Sequence, residues 1–200
     1  MNIENKIQQV IYWILSYTWG IIMTLIGSVV ALALIITGHK PKKFGWDIGF
    51  NIGKWWGGVS FGPFFLTDSF DDIGTKCHEH GHGFQNIIIG PLFPFLVGIP
   101  SSIRYWLREF NTHKKRTIYC CVLSSILIII SIITMILGAL YCQPVQWVGL
   151  CVFFYFVMLS AWLFDELKKH KNQFPLYDDF FPEGNATKTG RAFMGYNDIM

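Results

Sequence analysis

The 200-residue sequence is 52% apolar and only 14% charged, with a net charge of +3. Its apolar residues gather in long blocks, which excludes an ordinary soluble domain and points to a multi-pass membrane protein. The basic residues sit at the ends of those blocks, so they read as topology signals and exclude a nucleic-acid-binding surface.

Residues 10–37 carry no charge and end at His39-Lys40-Pro41-Lys42-Lys43. At about 1.5 Å rise per residue this run is ample for a hydrocarbon core of about 30 Å. Glu4 and Lys6 cancel ahead of it, and the run is longer than a signal peptide's apolar region, so a retained transmembrane helix is expected over 10–37. The period then changes. Over 44–52 every second residue is large and apolar, with Gly, Asp or Asn between, which is the pattern of a half-buried strand. Gly and Trp residues at 53–58 supply a turn, and 59–66 can return as a second strand whose Pro63 suits an edge. A small aromatic β-hairpin at the membrane interface is therefore expected over 44–66, its edge available to an extended peptide.

Polar residues 67–72 offer helix-capping chemistry, and a helix follows over 75–89 until Gly90-Pro91 breaks it. The apolar stretch 92–106 contains Pro94, Gly98 and Pro100, which suits a kinked or re-entrant segment. Residues 117–140 and 146–164 are two further transmembrane helices, antiparallel because only the short loop Tyr141-Cys142-Gln143-Pro144 joins them. From 165 to 200 the chain is polar. The fold expected is one mainly α membrane domain, with three clear transmembrane helices, a kinked or re-entrant segment after the 75–89 helix, and a small hairpin. Basic residues at 40–43, 104–116 and 168–171 mark the cytoplasmic side, so the polar tail is expected in the cytoplasm and the chain in the cell membrane, with the lipid bilayer as its standing partner.

Within the 75–89 helix stands His78-Glu79-His80-Gly81-His82, an H-E-x-x-H motif. On a helix, His78 and His82 project from one face about a turn apart, the separation at which two imidazoles share one zinc ion. Glu79 is rotated roughly 100° from the first histidine, where it serves as general base without being a ligand. His80 lies on another face and reads as a packing or supporting residue. The five cysteines are odd in number and form no C-x-x-C pair, so neither a disulfide framework nor a cysteine zinc site is indicated. A catalytic site then needs a third protein ligand, leaving one position for water. Two acidic stretches are available, Asp165-Glu166 and the segment 182–190 containing Glu183. Gln85 shares the His78/His82 side of the helix and could bond a bound water, a substrate carbonyl or a backbone group near Pro91.

The H-E-x-G-H form, followed much later by Glu183-x-x-Ala186-x-x-x-Gly190, resembles the membrane-embedded glutamate-zincins of the prenyl-protein endopeptidase and heat-shock membrane protease group. The resemblance implies that Glu183 is the third Zn²⁺ ligand. In that group an Asp follows the Ala and orients a metal-binding His. Thr187 stands there in this chain, and Asp178 or Asp179 could take the Asp's part. A second resemblance, to intramembrane site-2 type proteases, would make Asp165 the third ligand, but its neighbours lack the Asn-Pro-Asp-Gly context of that group. The implied activity is hydrolysis of peptide bonds in a peptide or membrane-protein substrate near the cytoplasmic surface, with Glu79 the base for the attacking water. The alternative is a catalytically inactive membrane interaction or assembly protein of the same fold.

Overall fold

The structure, a computed structural model, describes residues 3–53, 56–141, 143–170, 179 and 182–195. It is mainly helical with a small mixed sheet. Residues 10–37 do not form one helix. Helix α1 (Ile3–Thr18) and helix α2 (Ile21–Ile36) meet at a 97° bend. The bend packs against Asn86, whose Nδ2 donates to the Gly20 carbonyl at 3.2 Å, and a Cβ at Gly20 would lie 2.3 Å from that same nitrogen.

The expected hairpin is a four-stranded sheet of order β1-β2-β4-β3, from β1 (Lys42–Phe44), β2 (Asp47–Asn51), β3 (Gly58–Phe61) and β4 (Phe64–Thr67). Gly45, at φ +58°, turns the chain between β1 and β2, so the apolar alternation over 44–52 crosses a hairpin and is not one strand. Gly62 and Pro63 turn β3 into β4, which places Pro63 in a turn, not on an edge. The middle pair β2 and β4 is parallel, Ile48 beside Phe64 and Phe50 beside Leu66. One face carries Phe50, Phe64 and Leu66 against Ala31 of α2 and Trp13 of α1. The other carries Asp47 and Gly49 with Phe44 and Phe65, and it meets the H-E-x-x-H helix through Asp47 at His80 and Gly58 at Glu79.

That helix, α3 (Ile73–Ile89), begins where the Asp72 side chain accepts from the Thr75 amide and ends at Gly90, φ +64°. The Trp19 ring covers Gly90, so a Cβ there would come within 2.3 Å of its Nε1. The segment expected to be kinked or re-entrant begins with a 3₁₀ turn (Gly90–Leu92) and a π-helical turn (Pro94–Gly98) before α4 (Ile99–Arg108), and the helical run 73–92 meets the run 94–108 at a 118° bend.

Helices α5 (His113–Tyr141) and α6 (Gln143–Lys169) are the two, among the described residues, long and apolar enough to cross a membrane, one fewer than expected. Gly138 and Gly149 let their backbones approach: a Cβ at Gly138 would sit 2.2 Å from the Gln146 nitrogen. The polar stretch 165–200 is not simply a tail, since α6 runs to Lys169 and Glu183–Met194 is helix α7. The chain divides into two compact units, one of residues 1–101 with 177–200 and one of residues 102–176.

Candidate metal centre

The H-E-x-x-H residues and Glu183 all belong to the first unit. Helix α7 lies so close on α3 that only small residues fit. A Cβ at Gly81 would fall 1.9 Å from the Ala186 carbonyl oxygen, and one at Gly190 would fall 1.7 Å from that of Cys77. Ala186 and Gly190 follow Glu183 at helical spacing on one face, so the small residues that admit the crossing also aim Glu183 at α3.

Three ligand atoms converge there. His78 Nε2 and His82 Nε2 are 3.1 Å apart, and Glu183 Oε2 lies 3.0 Å from the first and 3.2 Å from the second. A tetrahedral zinc with ligands at about 2.0–2.1 Å has ligand-to-ligand edges of about 3.3 Å, so the triangle has the size that a small divalent cation requires. Glu183 Oε1 and Glu79 Oε2 are buried without a hydrogen-bond partner among the described residues, which a polar occupant would relieve. Two imidazoles and a carboxylate are a donor set that suits such an ion. His78, His82 and Glu183 are therefore a group that could hold a metal.

Each histidine is oriented from its far nitrogen. With Nε2 turned to the centre, His78 Nδ1–H donates to Thr187 Oγ1 at 2.7 Å, and His82 Nδ1–H donates to Gln85 Oε1 at 2.8 Å. Thr187 thus stands where an orienting carboxylate was expected and reaches the ring itself. Gln85 is a supporting group, and its amide nitrogen donates to the Pro182 carbonyl at 2.9 Å and to Asn185 Oδ1 at 3.0 Å. Asp179 is exposed and outside the group of three, and Asp178 lies outside the described residues. Asp165 pairs with Lys169 on α6, at 2.5 Å, and is not a member of the group either.

Glu79 is 3% exposed and lies against the first residue of β3: a Cβ at Gly58 would be 2.5 Å from Glu79 Oε1. Burial pushes the Glu79 carboxyl above its ordinary range, and the charges of His78 and His82 oppose that only in part. Burial also raises Glu183, but hydrogen bonds from His78 and His82 outweigh it and hold that carboxyl well below its usual range. His82 shows the reverse balance. Burial lowers it, while Glu183 beside it raises it further, for a net rise.

His80 points away from the centre, as its position on the helix requires. Its Nδ1 is 2.7 Å from Asp47 Oδ2, and Tyr12 donates to the other Asp47 oxygen at 2.5 Å. This buried chain ties α1, β2 and α3 together. Asp47 and Tyr12 had no signal in the sequence beyond an acid in a strand and one hydroxyl among several in an apolar run, and Gly58 did not stand out there.

No family model matches the chain, and no curated protein or solved structure matches it.

Proposed function

We propose that this chain is a membrane-anchored, zinc-dependent endopeptidase. The observation that carries the proposal is the convergence of His78 Nε2, His82 Nε2 and Glu183 Oε2 within 3.0–3.2 Å, with the buried Glu79 beside them. Bound there, zinc would supply Lewis acidity for a carbonyl and lower the pKa of a water. His78, His82 and Glu183 hold the ion, with Thr187 and Gln85 fixing the rings. Glu79, its proton affinity raised by burial, takes a proton from the attacking water and delivers it to the leaving amine. Strand β3 ends the sheet, its outer edge unpaired among the described residues, and Gly58 at its start touches Glu79. An extended peptide laid on that edge would bring its carbonyl to the base, which favours peptides over other acyl substrates.

Helices α5 and α6 anchor the protein as a multi-pass membrane protein. The basic residues near 40–43, 104–116 and 168–171 put their flanking segments, and α7, in the cytoplasm. The rival is an inactive interaction protein keeping a structural metal, and the burial of the site favours it, since Glu183 is fully buried and His82 is 6% exposed.

Zinc stoichiometry on purified protein tests the metal, with one ion expected in the wild type and loss in Glu183→Ala and His82→Ala. Equal, negligible binding by all three removes the proposal. Cleavage of co-expressed membrane proteins by the wild type and not by Glu79→Gln supports the peptidase. A metal-loaded wild type that cleaves no better than Glu79→Gln leaves the rival.

A further inference from the structure

Helix α7 delivers more than a ligand. Its N-terminal turn also supplies both acceptors for the Gln85 amide, the Pro182 carbonyl and Asn185 Oδ1, at 2.9 and 3.0 Å. An amide side chain has two ends of nearly equal size, and either can face a histidine nitrogen. Here a main-chain carbonyl, which accepts and never donates, fixes the NH₂ end toward α7. The Oε1 end is then left facing His82 Nδ1 at 2.8 Å. Glu183 Oε2, 3.2 Å from Nε2, competes for the ring proton, and the acceptor at Nδ1 favours the form that keeps the proton there and leaves the Nε2 lone pair for the metal. A rotated amide would offer N–H to Nδ1, draw the proton to Nε2 and deny the metal a donor.

We infer that Gln85 is a positioning residue that makes His82 a competent ligand only while α7 is docked, so that one helix completes the ligand set and sets the tautomer of a ligand it does not carry. The inference rests on the metal-site reading above. Gln85 is 3% exposed, which suits a locked switch better than a substrate contact.

Conservative substitutions separate this from simple packing. Gln85→Glu keeps an acceptor at His82 Nδ1 in either rotamer but loses both donations to α7, whereas Gln85→Ala loses both functions. Asn185→Ala loosens the amide without removing it. The full-length protein in detergent is titrated with zinc against a chromophoric chelator, and histidine ¹⁵N shifts of the metal-free protein, recorded at alkaline pH where the ring carries a single proton, report the tautomer. Gln85→Ala is expected to weaken zinc binding about 10–100-fold and to lose the Nδ1–H form of His82. Gln85→Glu is expected to restore most of that affinity and the Nδ1–H signal, with Asn185→Ala between wild type and Gln85→Ala. If Gln85→Glu binds as weakly as Gln85→Ala, the residue acts only by holding α7, and the inference falls. It falls also if Gln85→Ala binds zinc like the wild type. A wild type that binds no zinc removes the metal-site reading itself, a result distinct from either.

Discussion

At the scale of single residues, the proposed site separates the groups that would hold a metal from the one that would use it. Glu79 touches none of the hydrogen bonds that orient the two histidines, so Glu79→Gln is expected to keep the metal stoichiometry and lower peptidase turnover about 10²–10⁴-fold. Gly58→Ala tests the same separation from the sheet, because its Cβ would fall 2.5 Å from Glu79 Oε1 and push the base aside. Activity is expected to drop with zinc retained, measured by turnover and metal content on the same sample. Thr187→Val removes the acceptor 2.7 Å from His78 Nδ1, and zinc affinity is expected to fall about 10–100-fold by chelator competition. The charges predict a pH profile as well. His82 is raised above its ordinary 6.5, so a proton must leave it when metal binds: affinity falls as pH is lowered through that raised value, and calorimetry in buffers of different ionisation enthalpy reads the proton released. In metal-free protein the same pair acts on stability in the other sense. The Glu183 contribution is fully present above that group's ordinary 4.5 and fades as pH falls through its depressed folded value. The His82 contribution is fully present below 6.5 and fades as pH rises through its raised folded value. Chelated protein is therefore expected to have its highest unfolding midpoint between those two ordinary values.

At the scale of elements, the crossing of α3 and α7 carries the site. Gly190→Ala places a Cβ 1.7 Å from the Cys77 carbonyl oxygen, and no side chain there can yield because the obstacle is backbone. Overpacking of this kind costs about 1–3 kcal/mol or more, so α7 is expected to undock and zinc binding to fail while α5 and α6 stay helical by circular dichroism. The motif helix was legible in the sequence because its evidence is local: a capping Asp72, a helical spacing of histidines and a Gly-Pro stop. Glu183 was singled out as a candidate ligand only by the family resemblance that H-E-x-G-H and Glu183-x-x-Ala186-x-x-x-Gly190 carry; that Ala186 and Gly190 mark a close helix crossing is visible in the structure alone. Other features were not legible because their causes are distant in sequence. The bend after α1 is met by Asn86, 66 positions away from Gly20, a contact that Ser16, Thr18 and Gly20 within the uncharged run do not by themselves announce. The sheet order depends on which strand pairs across a loop, and residues 44–52 alternate equally well through a hairpin as along one strand.

At the scale of the whole molecule, the three ligands and their supports all belong to residues 1–101 and 177–200, while α5 and α6 belong to the other unit. Replacing 113–169 with an unrelated apolar helical hairpin of the same length is therefore expected to preserve zinc stoichiometry and membrane association. Loss of zinc in a chimera that still inserts would show that this hairpin contributes to the site. The division also has a consequence in time. Synthesis runs from α3 to α7, so the two histidines exist before Glu183 does, and both long apolar helices are made in between. A chain halted anywhere along that stretch holds half a chelate, with His82 lacking the lock on its tautomer and Glu79 lacking a charged centre to serve. The order of the sequence thus sets an interval in which the apolar hairpin is complete before the three groups of the proposed metal centre can come together.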